Sequence, residues 1–340
     1  MLLVDKPLGP TSHDLVGWAR WALRERAIGH CGTLDPAASG MMVLCVGEAT
    51  KLVEHLSAVD KRYRARFVLG ASTTTADAQG EVIAEAEVSG EVEAGVESAA
   101  RSLVGELELP PPIYSALKLQ GRRAHELARA GEIESLPPRP MSVRSLELHD
   151  QGREGGRLWV DASVEVAKGT YVRSLAEELG RRLGVPGHLG ALHREACDRL
   201  ALDHPQAVRG LAARPLEVEE GAPPKWRVDF SDEDPDADDR RARAGVRLEQ
   251  ALVDPWTLLP FPVGELTHGE GSALVERLAQ GQRLAATREN LAALGLGQDT
   301  PATCAVVEPA AGRMIILEHR EHRLAPRRVL RFSPRPPPSS

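Results

Sequence analysis

Residues 29–40 read Gly-His-Cys-Gly-Thr-Leu-Asp-Pro-Ala-Ala-Ser-Gly and lead into the apolar run Met-Met-Val-Leu-Cys-Val at residues 41–46. Asp35 is the one acidic side chain in this stretch. The glycines permit positive φ or a close backbone approach, and Pro36 biases Asp35 toward an extended backbone. The stretch therefore predicts a shaped loop that presents a carboxylate just before a buried strand. An ordinary Asp-Pro turn is the structural alternative.

Hydrophobic periodicity predicts a mixture of helices and strands around this loop. Helices are expected at residues 11–26, 48–56 and 172–183, and strands at residues 2–4, 41–46, 62–69, 158–166, 302–307 and 314–318. Thr11 and Asp14 have the spacing of a capping box, and Gly184 is placed to end the helix before it. Because the strands and helices do not alternate in regular βαβ units, the pattern predicts an α+β fold.

Length and composition set the broad class of the protein. The chain has 340 residues, which suits two domains, and its four cysteines form no Cys-x-x-Cys pair, so neither a disulfide framework nor a metal site is expected. No apolar run approaches the roughly 20 residues of a membrane helix, and the first residues lack a signal-peptide pattern. A cytoplasmic protein with no membrane partner is expected.

The charge is unevenly distributed along the chain. The formal net charge is −7, and residues 229–239 carry seven acidic and no basic side chains, so the rest of the chain is neutral overall. Few apolar residues surround this tract, which favours a disordered insertion or linker at residues 211–247. Arginines are concentrated at residues 313–335, where they offer positive surface to phosphates.

Three further blocks accompany the loop in the same order along the chain. They are Leu-Val-Asp-Lys-Pro at 3–7 with Thr-Ser-His at 11–13, Asp-Lys-Arg-Tyr at 60–63, and Lys-Gly-Thr-Tyr-Val-Arg-Ser-Leu at 168–175. Together with Gly-Thr-Leu-Asp-Pro at 32–36, they resemble the motifs of the TruB family of pseudouridine synthases. The resemblance covers about the first 200 residues strongly and the C-terminal part faintly.

This resemblance implies a mixed-sheet pseudouridine synthase core with helices packed on it, followed by a small PUA-like β-barrel that binds RNA. The implied division is a catalytic domain at 1–210, the acidic insertion at 211–247, the PUA-like domain at 248–332 and a flexible tail at 333–340. The implied activity is isomerisation of uridine 55 in the T loop of tRNA. No cofactor is expected.

The resemblance also implies the catalytic residues. Exchange of an N–C for a C–C glycosidic bond needs a group that stabilises or captures an electron-deficient C1′, and a carboxylate does this in glycosidases. Asp35 matches the essential aspartate of the family. Arg173 matches the arginine that pairs with it and would keep the buried carboxylate ionised. Tyr63 matches the tyrosine that stacks on the flipped base.

Other matched positions are expected to bind substrate. His30 aligns with a histidine that holds the flipped RNA, and a capping or hydrogen-bonding role is its alternative. Leu192 aligns with a leucine of the uracil pocket, and Arg194 with an arginine that contacts RNA. The remaining two are Tyr171, beside Arg173, and Lys51, which is expected to have a positioning role.

The expected partner is the T arm of tRNA, bound by a monomer without guide RNA. A guide-RNA-dependent, dyskerin-like synthase shares these motifs, and a tRNA-binding or tRNA-folding factor is a non-catalytic alternative. A glycoside hydrolase would need a second placed carboxylic acid, which the sequence does not indicate.

Overall fold

The computed structural model describes residues 1–115, 117–119, 122–133, 135–219, 224–266 and 271–333. In chain order the strands are β1 (Leu2–Lys6), β2 (Ile28–His30), β3 (Ala38–Val46), β4 (Lys61–Leu69), β5 (Ala71–Thr73), β6 (Val82–Glu85), β7 (Gly105–Leu109), β8 (Lys118–Leu119), β9 (Arg122–Arg123), β10 (Arg139–Glu154), β11 (Arg157–Val166), β12 (Gly187–Cys197), β13 (Leu200–Ala201), β14 (Leu211–Leu216), β15 (Lys225–Phe230), β16 (Val263–Glu265), β17 (Leu284–Ala285), β18 (Thr303–Glu308), β19 (Arg313–Arg320) and β20 (Arg323–Arg331).

The α-helices lie between these strands and pack on the sheets. They are α1 (Ser12–Leu23), α2 (Val53–Ser57), α3 (Gly90–Ser102), α4 (Ala124–Arg129), α5 (Val172–Leu183), α6 (Arg240–Gln250), α7 (Gly271–Ala279) and α8 (Arg288–Ala293). Short 3-10 helices occupy Gly47–Leu52, Pro255–Leu258 and Pro309–Ala311. No helix within the described ranges is long and apolar enough to span a membrane.

The central sheet has the strand order β1-β3-β12-β4-β11-β10-β7, with β2 paired to β3 and β13 paired to β12. The β12–β3 pair is parallel, whereas the other pairs of this sheet are antiparallel. The expected α+β architecture is confirmed. Because β3, β12 and β4 are neighbours, the loop before β3 lies beside side chains of β12 and β4.

Local sequence accounts for the elements that carry the site. Burial alternates along β4, with Tyr63 and Phe67 facing inward, as period-2 hydrophobicity requires. The capping box at the start of α1 forms, because Thr11 accepts from the backbone of Asp14 and Asp14 accepts from that of Thr11. Gly184 ends α5 with φ of 73°.

Two predicted helix boundaries were wrong. The helix expected at 11–26 ends at Leu23, because Arg24 adopts a left-handed backbone with φ of 54°. The helix expected at 48–56 is a 3-10 helix that continues into α2, ending at Ser57. Both differences lie at chain reversals that pack on neighbouring strands, where periodicity is a poor guide.

The prediction of a disordered insertion at 211–247 was wrong for the residues described there. Strands β14 and β15 pair as a hairpin, and α6 packs against α1. Val228 and Phe230 are buried in one hydrophobic core with α1 and β1. Five of the seven acidic side chains of the tract pair with arginines of this segment, including Asp229 with Arg240. The composition suggested that this segment buries too little apolar surface to offset the entropy lost on ordering. The ion pairs and the buried apolar side chains together supply that stabilisation.

The C-terminal part forms a second sheet with the order β16-β18-β19-β20-β17, in agreement with the expected PUA-like fold. One hydrophobic core joins it to the first sheet, with Met41 and Val43 on one side and Ala305 and Ile316 on the other. The domain boundaries given above stay predictions. Of the expected flexible tail, residues 334–340 lie outside the described residues.

Candidate active site

Asp35 lies in the loop between β2 and β3, and this loop is held from both sides. The backbone N–H of Leu34 donates to Ser12 Oγ at 2.8 Å, and that hydroxyl donates to the carbonyl of Leu34 at 2.9 Å. The N–H of Gly9 donates to the carbonyl of Pro36 at 2.9 Å. The two neighbours of Asp35 are therefore fixed by the start of α1 and by the turn before it.

Arg173 forms an ion pair with Asp35, as expected. Its Nη2 lies 2.7 Å from Asp35 Oδ2, and the arginine side chain is only 6% exposed. The guanidinium also donates to the carbonyls of Thr75 at 3.0 Å and Tyr114 at 3.2 Å. A second carboxylate, Asp77, lies 3.8 Å from Nη1. Because two backbone carbonyls fix the guanidinium, it offers Asp35 a preorganised cationic partner.

The environment of Asp35 acts on its pKa in opposite directions. Burial within the surrounding protein raises the pKa above its ordinary value, and the charge of Asp77 adds to this effect. Arg173 and Lys6 oppose it by favouring the carboxylate. The side chain still exposes 41% of its surface. The carboxylate is thus surrounded by protein but open to an incoming ligand.

Asp35 opens into a cleft of about 340 Å³, a size suited to a small ligand or a single base. Tyr63 from β4, Tyr171 at the start of α5 and Leu192 from β12 form its wall. Tyr63 is 7% exposed, and burial raises the pKa of its hydroxyl. It therefore stays protonated at neutral pH. The remaining lining residues are Gly32, Thr33, Leu34, Ser57, Lys61, Ser115, Lys168, Gly169, Thr170, Val172, Arg173 and Arg194.

Arg194 lines the cleft and bonds to the backbone of the loop before Asp35. It is completely buried, and its guanidinium donates to the carbonyls of Met41 at 2.6 Å, Gly32 at 3.1 Å and Thr33 at 3.4 Å. Its charge favours the ionised form of Tyr63, against the larger effect of burial on the pKa of that hydroxyl. In this structure Arg194 holds the loop before Asp35, and its expected contact with RNA stays a prediction.

His30 and Lys51 do not line the cleft. The ring of His30 packs edge-on against His13, with centroids 5.4 Å apart, and burial lowers its pKa to about 4. Its Nδ1 is buried and has no hydrogen-bond partner among the described residues. Lys51 is exposed and donates to Glu48 at 2.6 Å and to the carbonyl of Val329 at 3.2 Å. Lys51 thus connects the 3-10 helix at Gly47–Leu52 to β20, and its expected positioning role stays a prediction.

Lys6 is a site residue to which sequence reasoning gave no role. It is fully buried, and its ammonium donates to the carbonyls of Pro7 at 2.9 Å and Ala38 at 2.7 Å. Burial lowers its pKa to about 8, and the charge of Asp35 partly opposes this shift. The available signal was a lysine at the end of an apolar strand and directly before a proline.

The described residues contain no group of three or more His, Cys, Asp or Glu side chains that could hold a metal ion. The arrangement that they do contain is a carboxylate, a guanidinium and a phenol around one cleft. These groups can stabilise a developing positive charge, accept a planar ring and relay a proton.

Comparisons with solved structures support the fold. A Cbf5–Nop10–Gar1 complex matches with a TM-score of 0.58 at 22% identity, covering 90% of this chain and 74% of that one. An H/ACA ribonucleoprotein bound to a substrate RNA containing 2′-deoxyuridine matches with the same TM-score at 20% identity, covering 93% of this chain and 77% of that one. These identities are low, so the likeness extends to the fold alone.

Sequence relatives are more similar. The tRNA pseudouridine synthase B of Corynebacterium efficiens is 39% identical over 274 residues, which are 81% of this chain and 82% of the relative. That of Rhodococcus jostii is 40% identical over 263 residues, 75% of this chain and 86% of the relative. The family model for the N-terminal domain of TruB family pseudouridylate synthases matches residues 20–172. The chain that places Asp35 against Arg173 therefore belongs to the TruB family of pseudouridylate synthases.

Proposed function

We propose that this synthase isomerises uridine 55 in the T loop of tRNA to pseudouridine. The observation that supports this most directly is the 2.7 Å pair of Arg173 with Asp35 at the cleft beside Tyr63. The relatives' printed names support tRNA as the substrate. Substrate position 55 comes from the resemblance of the motifs.

Asp35 acts at C1′ of the target nucleotide. The N1–C1′ bond breaks, uracil turns within the cleft, a C5–C1′ bond forms, and the proton on C5 leaves while N1 gains one. The carboxylate either bonds to C1′ or removes a ribose proton to give a glycal, and both routes need it ionised. Arg173 supplies that condition by opposing the effect of burial on the pKa.

The cleft accepts a base that has left its stack. Tyr63 offers an aromatic face, which replaces part of the stacking lost when the nucleotide flips. We assign the exchange of the proton that C5 loses to its hydroxyl, whose pKa is raised by burial. Leu192 and Tyr171 form the apolar wall, and the exposed Lys168 at the cleft offers a cation to the phosphate beside the flipped base.

The same proposal includes the partners and the location. We propose a cytoplasmic monomer that binds the T arm of tRNA without guide RNA, and the relatives' printed names support tRNA as the partner. The catalytic domain is taken as residues 1–210 and the PUA-like RNA-binding domain as residues 248–332.

The test is pseudouridine formation on an unmodified tRNA transcript by the purified full chain, with the modified position mapped. We expect one pseudouridine at position 55 and none when that uridine is replaced by cytidine. Asp35→Asn should abolish the reaction while tRNA affinity stays within about tenfold, because phosphate contacts dominate binding. The matched control is Asp238→Asn, an exposed carboxylate far along the chain, which should react at the wild-type rate.

The outcomes separate the alternatives. If the Asp35→Asn variant still forms pseudouridine, Asp35 is not a catalytic residue. Activity that appears only after a guide RNA is added would favour the dyskerin-like alternative. If the wild-type chain binds tRNA tightly but does not modify it, the tRNA-folding factor is the remaining alternative.

A further inference from the structure

Strand β15 brings a tryptophan against the turn at the start of the chain. The Trp226 ring covers Gly9, because a Cβ added to Gly9 would lie 2.5 Å from the ring carbon Cη2. Gly9 also has φ of 106°, which side chains other than glycine rarely adopt. Glycine is therefore required at this position for two reasons, which are the backbone conformation and the contact with the indole ring.

Gly9 is one of the two residues that fix the loop around Asp35. Its N–H donates to the carbonyl of Pro36 at 2.9 Å, and Pro36 directly follows the catalytic carboxylate. The Trp226 ring lies against Gly9 and does not line the cleft. Any effect of the ring on the reaction is therefore indirect.

The hairpin that carries Trp226 is anchored along α1. The Phe230 ring packs edge-on against Trp18 with centroids 5.7 Å apart, and Arg241 donates to the carbonyl of Trp21 at 2.7 Å. The guanidinium of Arg240 lies 4.2 Å from the centre of the Trp21 ring. These contacts hold the hairpin and α6 on the helix whose first turn holds Leu34 through Ser12.

We propose that Trp226 is a positioning residue for Asp35, which it serves by keeping water and alternative conformations away from the Gly9–Pro36 hydrogen bond. The segment at 211–250 is then a support of the active-site loop. Loss of the ring would let water compete for both partners of this bond and loosen the loop, and small misplacements of a reacting group cost up to about a hundredfold in rate. The kinetic part of this inference rests on the proposed function.

The experiment compares Trp226→Ala with Val228→Ala in the full chain. Val228 lies two residues away on the same strand and is buried against α1, so its truncation also weakens the hairpin but leaves the indole ring. We expect Trp226→Ala to lower the single-turnover rate on saturating tRNA transcript by about tenfold to a hundredfold. The tRNA dissociation constant should stay within about twofold, because Trp226 is not proposed to touch RNA. Val228→Ala should keep a near-wild-type rate, and Trp226→Phe should recover most of the loss.

Amide hydrogen exchange without tRNA provides a readout that does not depend on activity. Exchange at Gly9 and at Leu34 should accelerate in Trp226→Ala and stay slow in Val228→Ala. If Trp226→Ala does not fold, Trp226→Leu is measured in its place, since it keeps apolar volume but not the ring. Equal rates and equal exchange in Trp226→Ala and Val228→Ala would overturn the proposal. A Trp226→Ala variant that loses only tRNA affinity would overturn it as well. A wild-type chain inactive on tRNA would contradict the proposed function, whereas the exchange result would still decide whether Trp226 holds the loop.

Discussion

At the scale of single residues, the reactivity of Asp35 depends on two opposed effects. Burial raises the pKa of the carboxyl, and Arg173 lowers it. Arg173→Met removes the lowering effect of the close cation, so the pKa of Asp35 should rise further. Since the reaction needs the ionised form, the acid limb of the rate profile should move to higher pH, and the rate at pH 7 should fall.

The measurement is the single-turnover rate from pH 5 to pH 9. Arg181→Ala is the matched control, because Arg181 lies on the same helix with a 72% exposed side chain, and it should leave the profile unchanged. A near-wild-type rate and an unmoved acid limb in Arg173→Met would show that Arg173 does not control Asp35.

His30 should contribute to acid sensitivity. Its pKa is lowered to about 4, mainly by burial and then by His13 and Arg194. A folded-state pKa below the ordinary 6.5 means that the unfolded chain takes up the proton first as pH falls, so stability is lost between about pH 6.5 and pH 4. This loss amounts to at most about 3 kcal/mol, since one pKa unit corresponds to about 1.4 kcal/mol. Urea unfolding at both pH values should show that His30→Asn loses less unfolding free energy on acidification than the wild type does. Equal losses in the two proteins would exclude His30 as the source.

At the scale of elements, the segment at 211–250 shows how composition can mislead. Seven acidic residues between 229 and 239 favour disorder, yet Asp232 and Glu233 pair with Arg247 of α6, and Asp229 pairs with Arg240. These arginines lie 11 to 15 residues further along the chain than the acidic residues with which they pair. A count of charges within the acidic tract alone leaves these arginines out.

Phe230 is the apolar anchor of this segment. It is 4% exposed, packs on Trp18 and lies under the guanidinium of Arg247. Phe230→Ala should lower the free energy of unfolding by about 3 to 5 kcal/mol, as is usual for a buried phenylalanine. Val246→Ala is the control, because Val246 is 52% exposed on α6 and should cost under about 0.5 kcal/mol. A similar small loss for Phe230→Ala in urea unfolding would mean that the segment does not pack as described.

At the scale of the whole molecule, the two sheets share a hydrophobic core. Cys45 and Leu52 of the first part pack in one cluster with Leu259, Val307 and Leu330 of the second. Cutting the chain before the second sheet would expose this core. The RNA-binding role of the C-terminal arginines is therefore better tested by charge removal in the full chain.

These arginines are not equivalent. Arg313 is 18% exposed and pairs with Glu276 and Glu308, whereas Arg323 and Arg328 are exposed on β20. Replacing both exposed arginines by glutamine should weaken tRNA binding and reduce the slope of log affinity against log salt by up to about two, since each lost phosphate contact removes about 0.9. Saturated turnover should persist.

Arg101→Gln serves as the comparison variant, because it lies on α3, which packs near β10 at the other end of the central sheet. It should leave the salt slope unchanged. If the variant with both arginines replaced keeps the wild-type slope of log affinity against log salt, Arg323 and Arg328 are not part of the RNA interface.

The sequence by itself determined the parts of this protein that depend on neighbours along the chain. Period-2 hydrophobicity specified β4 and β11, the Thr11–Asp14 spacing specified the cap of α1, and Asp35 stood out as a lone carboxylate in a shaped loop. Each of these signals acts over a few residues, so the sequence contains it directly.

Only the tertiary structure decided which side chains meet across the chain. The sheet order places Arg194 against the carbonyls of Gly32 and Thr33, more than 150 residues earlier, and turns its donors away from solvent. Likewise, Trp226 reaches Gly9 only because the hairpin packs along α1. Such contacts carry no local periodicity and no fixed spacing, because they arise when separate elements bury their apolar faces together. The carboxylate and its partner Arg173 could be found from the sequence, whereas the contacts of Ser12 and Gly9 that hold the loop could not.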